Sequence, residues 1–249
     1  MFSDADAAAL YDLLNPWDPG QSPGDRFYHE LVMAADSVLD VGCGTGAMLA
    51  CAREHGHRGR LAGLDPNRAA LDRARRRADI EWAQGTAADA RWTAGFGLAT
   101  MTGHAFQCLV TDHDLRASLA AIHAALREGG HFVFETRHPQ ARAWKDWNPS
   151  SGSDITDAAG RALRVWHEVE SVAGDVVTFT ETTALADGTV LRVDRTSLRF
   201  PDVTAISTFL AGAGLEIEAQ YGDWDRAPIT PASREIITIA RSTGTEGPL

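Results

Sequence analysis

Residues 38–46 read Val38-Leu39-Asp40-Val41-Gly42-Cys43-Gly44-Thr45-Gly46, a short apolar run that breaks into three alternating glycines. Met48 and Leu49 follow on a helix-like stretch that stops at Gly56, with Thr45 placed to cap it. A strand feeding a glycine turn and then a helix is a general nucleotide-binding device. The glycines allow tight turns and let a ligand lie against bare main chain. Gly42, Gly44 and Ala47 also satisfy the dinucleotide pattern G-x-G-x-x-A. Taken alone, the loop serves equally well as a structural turn.

Two acids narrow the reading. Asp40 interrupts the apolar strand end, where a carboxylate can meet an ammonium group. Asp65 closes the next strand, Arg60 to Leu64, 19 residues after Gly46. That is the distance expected of an acid that holds ribose hydroxyls. The alternative for Asp65 is a helix N-cap ahead of Pro66.

Outward from this centre the chain alternates strand and helix. Residues 80–83 and 98–101 read as strands, and Leu115, Leu119, Ile122 and Leu126 recur on one helical face. Gly129-Gly130 ends that helix, and His131 to Glu135 follows as a strand. Alternation of this kind predicts a parallel sheet covered on both faces. After Pro139 the pattern changes to a loop rich in Trp, Pro, Ser and Gly. Three alternating segments then run over 163–172, 176–185 and 190–200, with Asp187-Gly188 as a hairpin signal. A helix over 202–213 and strands over 215–221 and 235–240 complete the chain. The expected organisation is N-terminal helices over 1–35, a ligand-binding core over 36–139, an antiparallel insertion over 140–200, the rest of the core over 201–241, and a flexible tail over 242–249.

The 38–46 segment resembles motif I of class I S-adenosylmethionine-dependent methyltransferases, and Gly63-Leu64-Asp65-Pro66-Asn67 resembles their motif II. The resemblance extends over residues 36–136 and more loosely to the C-terminus, where the architecture is loosely similar to that of amino-sugar N-methyltransferases. It implies a Rossmann-like α/β fold with a seven-stranded, mostly parallel sheet, here with a small antiparallel β insertion. It implies that Asp40, Gly42, Cys43, Gly44 and Gly46 hold the amino-acid end of S-adenosylmethionine, that Asp65 takes the ribose, and that Pro66 borders adenine. The family's third motif has an acid beside adenine. This chain reads Gln84-Gly85-Thr86-Ala87-Ala88-Asp89, so Thr86 and Ala87 stand there, with Asp89 in reach. Met101 and Thr102 belong to the fourth-strand motif that lines the methyl-transfer cleft, and Tyr11 to an N-terminal lid, where it covers the cofactor or merely packs a helix.

Methyl transfer from a sulfonium is an in-line displacement, in which positioning supplies most of the rate for a neutral amine or a carbon nucleophile and a general base helps an alcohol or phenol. The candidate bases are His104, Glu135 and His138, each with a packing role as its alternative. Arg137, Trp144 and Trp147 are candidates for the acceptor pocket, although tryptophans at this density also pack insertions onto cores. The rival readings are an NAD(P)-dependent oxidoreductase and a protein that binds S-adenosylmethionine without turnover.

Bulk properties bound the partners. The 249 residues carry 23 Lys+Arg against 34 Asp+Glu, a formal charge of −11. A long polyanion is therefore not expected, and the helix carrying Arg73, Arg76 and Arg77 reads as a solvated face. The expected acceptor is a small molecule, approached by a monomer or a homodimer. Cys43, Cys51 and Cys108 are odd in number and widely spaced, without Cys-x-x-Cys or Cys-x-x-His, so neither a disulfide framework nor a bound metal is expected. The acidic N-terminus has no apolar segment of signal-peptide length, and no run of 18 apolar residues occurs, so a cytoplasmic protein is expected.

Overall fold

The computed structural model describes residues 2–244. Two helices, α1 (Asp4–Leu14) and α2 (Pro23–Ala34), precede the sheet. The core then runs β1 (Ser37–Val41), α3 (Ala47–Glu54), β2 (Arg60–Asp65), α4 (Arg68–Ala74), β3 (Glu81–Gln84), β4 (Phe96–Met101), α5 (Asp112–Ala125) and β5 (Leu126–Arg137). The insertion contributes β6 (Ser153–Thr156), β7 (Ala162–Ala173), β8 (Val176–Leu185) and β9 (Val190–Arg199). The chain returns to the core through α6 (Val203–Gly212), β10 (Leu215–Tyr221) and β11 (Glu235–Ser242).

The main sheet has seven strands in the order β10-β11-β5-β4-β1-β2-β3, and only β11 runs against its neighbours. The chain adds β2 and β3 on one side of β1, then crosses to β4 and β5 on the other. The point where the order reverses, between β1 and β4, is where ligands bind open α/β sheets, outside the carboxyl ends of the strands. Helix α5 shows why these elements form. Thr111 caps it by accepting the Asp114 amide at 3.1 Å, Asp112 and Asp114 complement its first turn, and Leu115, Leu119 and Ile122 are fully buried on the sheet. Each such leucine contributes roughly 1.5–3 kcal/mol of transfer free energy. Phe106 stacks on Phe134 at 4.0 Å between ring centres, and Phe134 on Phe132 at 4.8 Å, filling the layer beneath the carboxyl edge.

The insertion is a four-stranded antiparallel sheet, β6-β7-β8-β9. Its first strand, β6, lies in the stretch whose Pro, Ser and Gly content reads as loop. Four residues are too few to show a period, and pairing with β7 makes the strand. Leu163 and Val165 of β7 pack against Phe2 and Leu10 of the N-terminal segment, while Val177, Phe179, Leu198 and Phe200 bury Trp144 and Trp147.

Three local expectations change. Thr45 does not cap α3; Gly46 occupies that position, and the Thr45 hydroxyl donates to Asp12 of α1 instead. The strand expected at His131 is paired from Leu126 onward, with a register shift that takes Gly129 through φ +73°. Of the expected tail, Ser242 still belongs to β11 and Thr243 bonds the Gly214 carbonyl, while residues 245–249 lie outside the described residues. Among the described residues, no helix is long and apolar enough to cross a membrane.

Gly63 and Gly46 face the same indole. A Cβ on Gly63 would stand 2.5 Å from Trp82, and one on Gly46, at φ +78°, 2.4 Å from it. Overpacking of this kind costs about 1–3 kcal/mol. Gly63→Ala should therefore lower the urea midpoint by a corresponding amount, and adding Trp82→Leu should recover part of the loss. Equal losses from Gly63→Ala with and without the second change would show that Trp82 is not what fills the space.

Candidate active site at the carboxyl edge of the sheet

The glycine loop is fixed from the β2 side. Gly42 and Cys43 donate to the Leu64 carbonyl at 2.7 and 3.1 Å, which extends the β1–β2 pairing into the turn. The Asp65 carboxylate then accepts the Gly44 amide at 2.7 Å through Oδ2 and the Asn67 amide at 2.7 Å through Oδ1. The helix-cap role is taken by Asn67, whose Oδ1 accepts the Ala69 and Ala70 amides, so Asp65 is not the cap. Burial nonetheless holds the Asp65 carboxyl above the ordinary aspartate range, against these two amides. Gly44, at φ +53°, would point a Cβ into open space, so the loop presents bare backbone there. Pro66 is exposed beside it.

Asp40 lies one strand inward, 1% exposed, and accepts the Thr100 hydroxyl of β4 at 2.9 Å. Burial raises its carboxyl to about 7, and the neighbouring charges that act on it, Asp65 and Glu135, are negative and push the same way. The side chain of Cys43 turns away into the packing of Leu71, Ala74 and Trp82, so the residue offers only its backbone to the loop. Thr86 spends its hydroxyl and its amide on Asp89, at 2.7 and 2.9 Å, and Ala87 is buried beneath them. Asp89 is thereby folded back on Thr86.

At β4 and β5 the polar groups interlock. Met101 is buried, Thr102 is half-buried, and His104 follows at φ 62°. The His104 amide donates to Glu135 Oε1 at 2.7 Å, and the Tyr28 hydroxyl of α2 donates to Glu135 Oε2. Both oxygens of this buried carboxylate are thus engaged in holding elements together. His138 accepts the Gln140 amide at its Nδ1 and closes a turn, with burial holding its imidazole below the ordinary range. The His104 ring is placed differently: its Nε2 lies 3.0 Å from Glu235 at the start of β11, and its side chain keeps 20% exposure. Glu235 pairs in register with Arg137, whose guanidinium donates to Gln107 at 3.1 Å and lies 5.5 Å above the Trp147 ring. Glu235 did not stand out in the sequence. Only the antiparallel pairing of β11 with β5 carries it to His104, and no local pattern encodes that.

Trp144 and Trp147 are half-buried. They pack on Phe200 and Phe179, each at 4.6 Å between ring centres, as wedges between insertion and core. Trp144 also lines a cleft of about 590 Å³ with Arg142, Lys145, Asp175 and Asp202, none of which belongs to the glycine loop. Tyr11 is half exposed, with its hydroxyl 3.5 Å from where a Cβ on Gly103 would lie.

Residues 38–130 match the family model described as a methyltransferase domain. No curated protein matches the sequence. Among solved structures, an S-adenosylmethionine-dependent methyltransferase from Clostridium acetobutylicum is 18% identical, with a TM-score of 0.76 over 96% of this chain and 98% of that one. An S-adenosylmethionine-bound amino pentose methyltransferase of calicheamicin biosynthesis from Micromonospora echinaspora is 24% identical, with a TM-score of 0.68 over 94% and 97%. A sugar N-methyltransferase from a Streptoalloteichus species is 21% identical, with a TM-score of 0.68 over 94% and 93%. Residues 38–130 thus match a methyltransferase domain, and the chain as a whole shares the fold of these solved methyltransferases.

The site fits that cofactor. S-adenosylmethionine carries an ammonium and a sulfonium, and the carboxyl edge of the sheet offers bare backbone at Gly44 and buried acids at Asp40, Asp65 and Glu135. A buried carboxyl raised to about 7 is a group that gains from a cation.

The raised carboxyl also has a cost for the free protein. Above the ordinary value of 3.8 the unfolded chain ionises Asp40 while the folded chain keeps it protonated, so the native state loses stability as pH rises to about 7 and levels off beyond. The limiting slope is about 1.4 kcal/mol per pH unit. Asp40→Asn should therefore stabilise the ligand-free protein by an amount that grows between those limits in urea titrations. A difference independent of pH would mean that Asp40 is ionised throughout.

Proposed function

We propose that this chain methylates an amine nitrogen of a small molecule. The observation that carries the reading is the His104–Glu235 pair at the carboxyl ends of β4 and β5. An Nε2–H donated to Glu235 leaves His104 Nδ1 with its lone pair, on a ring that is still partly exposed. An amine arrives protonated and must lose that proton before it can attack. Glu135 and Glu235 attract the cation, Nδ1 takes the proton, and Glu235 stabilises the imidazolium that results. Bound S-adenosylmethionine supplies an electrophilic methyl carbon on sulfur. In the transfer the nitrogen–carbon bond forms as the carbon–sulfur bond breaks, with the electron pair going to sulfur.

In this reading Asp40 balances the cofactor's ammonium and Asp65 keeps a lone pair on each oxygen for the ribose hydroxyls. Pro66, Thr86 and Ala87 border the adenine, and Met101 and Thr102 the methyl group. Tyr11 and α1 cover the site, and Arg137 stands where an anionic group of the acceptor would lie. The names of the amino pentose and sugar N-methyltransferases among the structural neighbours support an amine acceptor. A net charge of −11 favours a small acceptor over a nucleic acid. The same acids oppose an NAD(P) reading, since a pyrophosphate dianion would lie among Asp40, Asp65 and Glu135.

The test is transfer of a labelled methyl group to a panel of small primary amines and matched alcohols. Transfer to amines is expected. Binding of S-adenosylhomocysteine with no transfer to either panel would leave a cofactor-binding protein without turnover. His104→Ala should lower kcat by about 10²–10⁴ with S-adenosylhomocysteine affinity unchanged within about threefold, under ~1 kcal/mol. In calorimetry Asp65→Ala should weaken that affinity by about 1–3 kcal/mol; no change would leave Asp65 a loop-fixing residue only.

A further inference from the structure

His29 of α2, Cys51 of α3 and His55, the residue that ends α3, bring one ligand atom each to within 4.8 Å of one another. We infer that these three residues form a transition-metal site of the zinc type that clips α2 to α3. Their arrangement follows from the packing. Cys51 and His55 stand four apart, on one face of the helix, as in metal-binding helices. His29 faces them from the neighbouring helix, its ring 4.9 Å from that of His55. The sequence expectation of no metal rested on local Cys-x-x-Cys or Cys-x-x-His spacing, which cannot register a ligand supplied by a second helix.

The chemistry of the set is selective. Two imidazoles and a thiolate suit zinc and its neighbours, whereas calcium and magnesium require oxygen. Cys51 Sγ lies 3.4 Å from His55 Nδ1, so the thiol and the imidazole already stand side by side. His55 Nδ1 also lies 2.8 Å from the Cys51 carbonyl. An N–H held by that carbonyl leaves Nε2 with its lone pair, the usual outer-shell arrangement of a ligating histidine. His29 Nδ1 is buried and has no hydrogen-bond partner among the described residues, a cost that coordination through that nitrogen would remove. Cys51 and Glu54 line an open cleft of about 350 Å³ beside α1, which gives an ion a path in and leaves a coordination position for water.

Such a clip would tie α2, whose Tyr28 bonds Glu135, to the helix that leaves the glycine loop. The inference is independent of the methyl-transfer reading, because its readout is the metal alone. Cobalt(II) added to the reduced, tag-free protein should give a thiolate-to-cobalt band in the near ultraviolet that saturates at one ion per chain. Cys51→Ala should abolish the band and Cys108→Ala should retain it. Zinc should raise Tm and compete the cobalt away, and His29→Ala and His55→Ala should each weaken zinc binding by at least about tenfold with far-ultraviolet circular dichroism unchanged. No band in the wild type, a band that survives Cys51→Ala, or zinc affinity indifferent to His29→Ala would overturn the site.

Discussion

The Asp65 carboxylate accepts amides from two loops at once, Gly44 after β1 and Asn67 after β2, each at 2.7 Å. Those loops leave adjacent parallel strands, and beyond the Gly42 and Cys43 amides on the Leu64 carbonyl it is this carboxylate that ties them together. The carboxylate sets the height of the glycine loop above the sheet, and with it the backbone surface against which a cofactor lies. Trp82 closes the same arrangement from below, where only glycine fits at positions 46 and 63. An acid that builds the floor of a site and also faces its ligand has two reasons to be held rigidly.

Charge gives the site its character. Asp40, Asp65 and Glu135 are buried toward the carboxyl ends of β1, β2 and β5, and Glu235 joins them from the start of β11. Each is stabilised by donors that carry no formal charge, or by an imidazole: Thr100 for Asp40, amides for Asp65, Tyr28 and an amide for Glu135, His104 for Glu235. Neutral donors let the acids remain in place without cancelling their field. A cationic ligand collects that field, and an anionic one meets it as a barrier.

The fold was legible because its signals are local. Val38 to Gly46, the alternation that follows and the Asp187-Gly188 hairpin each declare an element within about ten residues. Strand β6 was missed because four residues have no period, and the early start of β5 because its first turn is a register shift. The acids of the glycine loop were legible as positions but not as partners: that Asp65 holds Gly44, and Asn67 the helix end, depends on atoms 21 residues apart in one case and two or three in the other. Glu235, 131 residues from His104, and His29, from another helix than Cys51, lay beyond any local reading. Trp144 and Trp147 show the converse, conspicuous in sequence and occupied with packing.

Helix α1 is pinned from both ends of the sequence. Asp12 pairs with Arg73 of the core at 2.7 Å, while Asp6 and Asp4 pair with Arg161 and Arg192 of the insertion at 2.8 and 2.6 Å. Two of these three partners lie 155 and 188 residues further along the chain. During synthesis α1 must wait, unpartnered on its apolar side, until Leu163 and Val165 arrive to receive Phe2 and Leu10. Strands β1 to β5 can pair in the meantime, so α1 closes over a parallel core that precedes the insertion. A helix docked from outside by ion pairs and one small apolar cluster is an element that can open at low cost while the sheet beneath it stays intact.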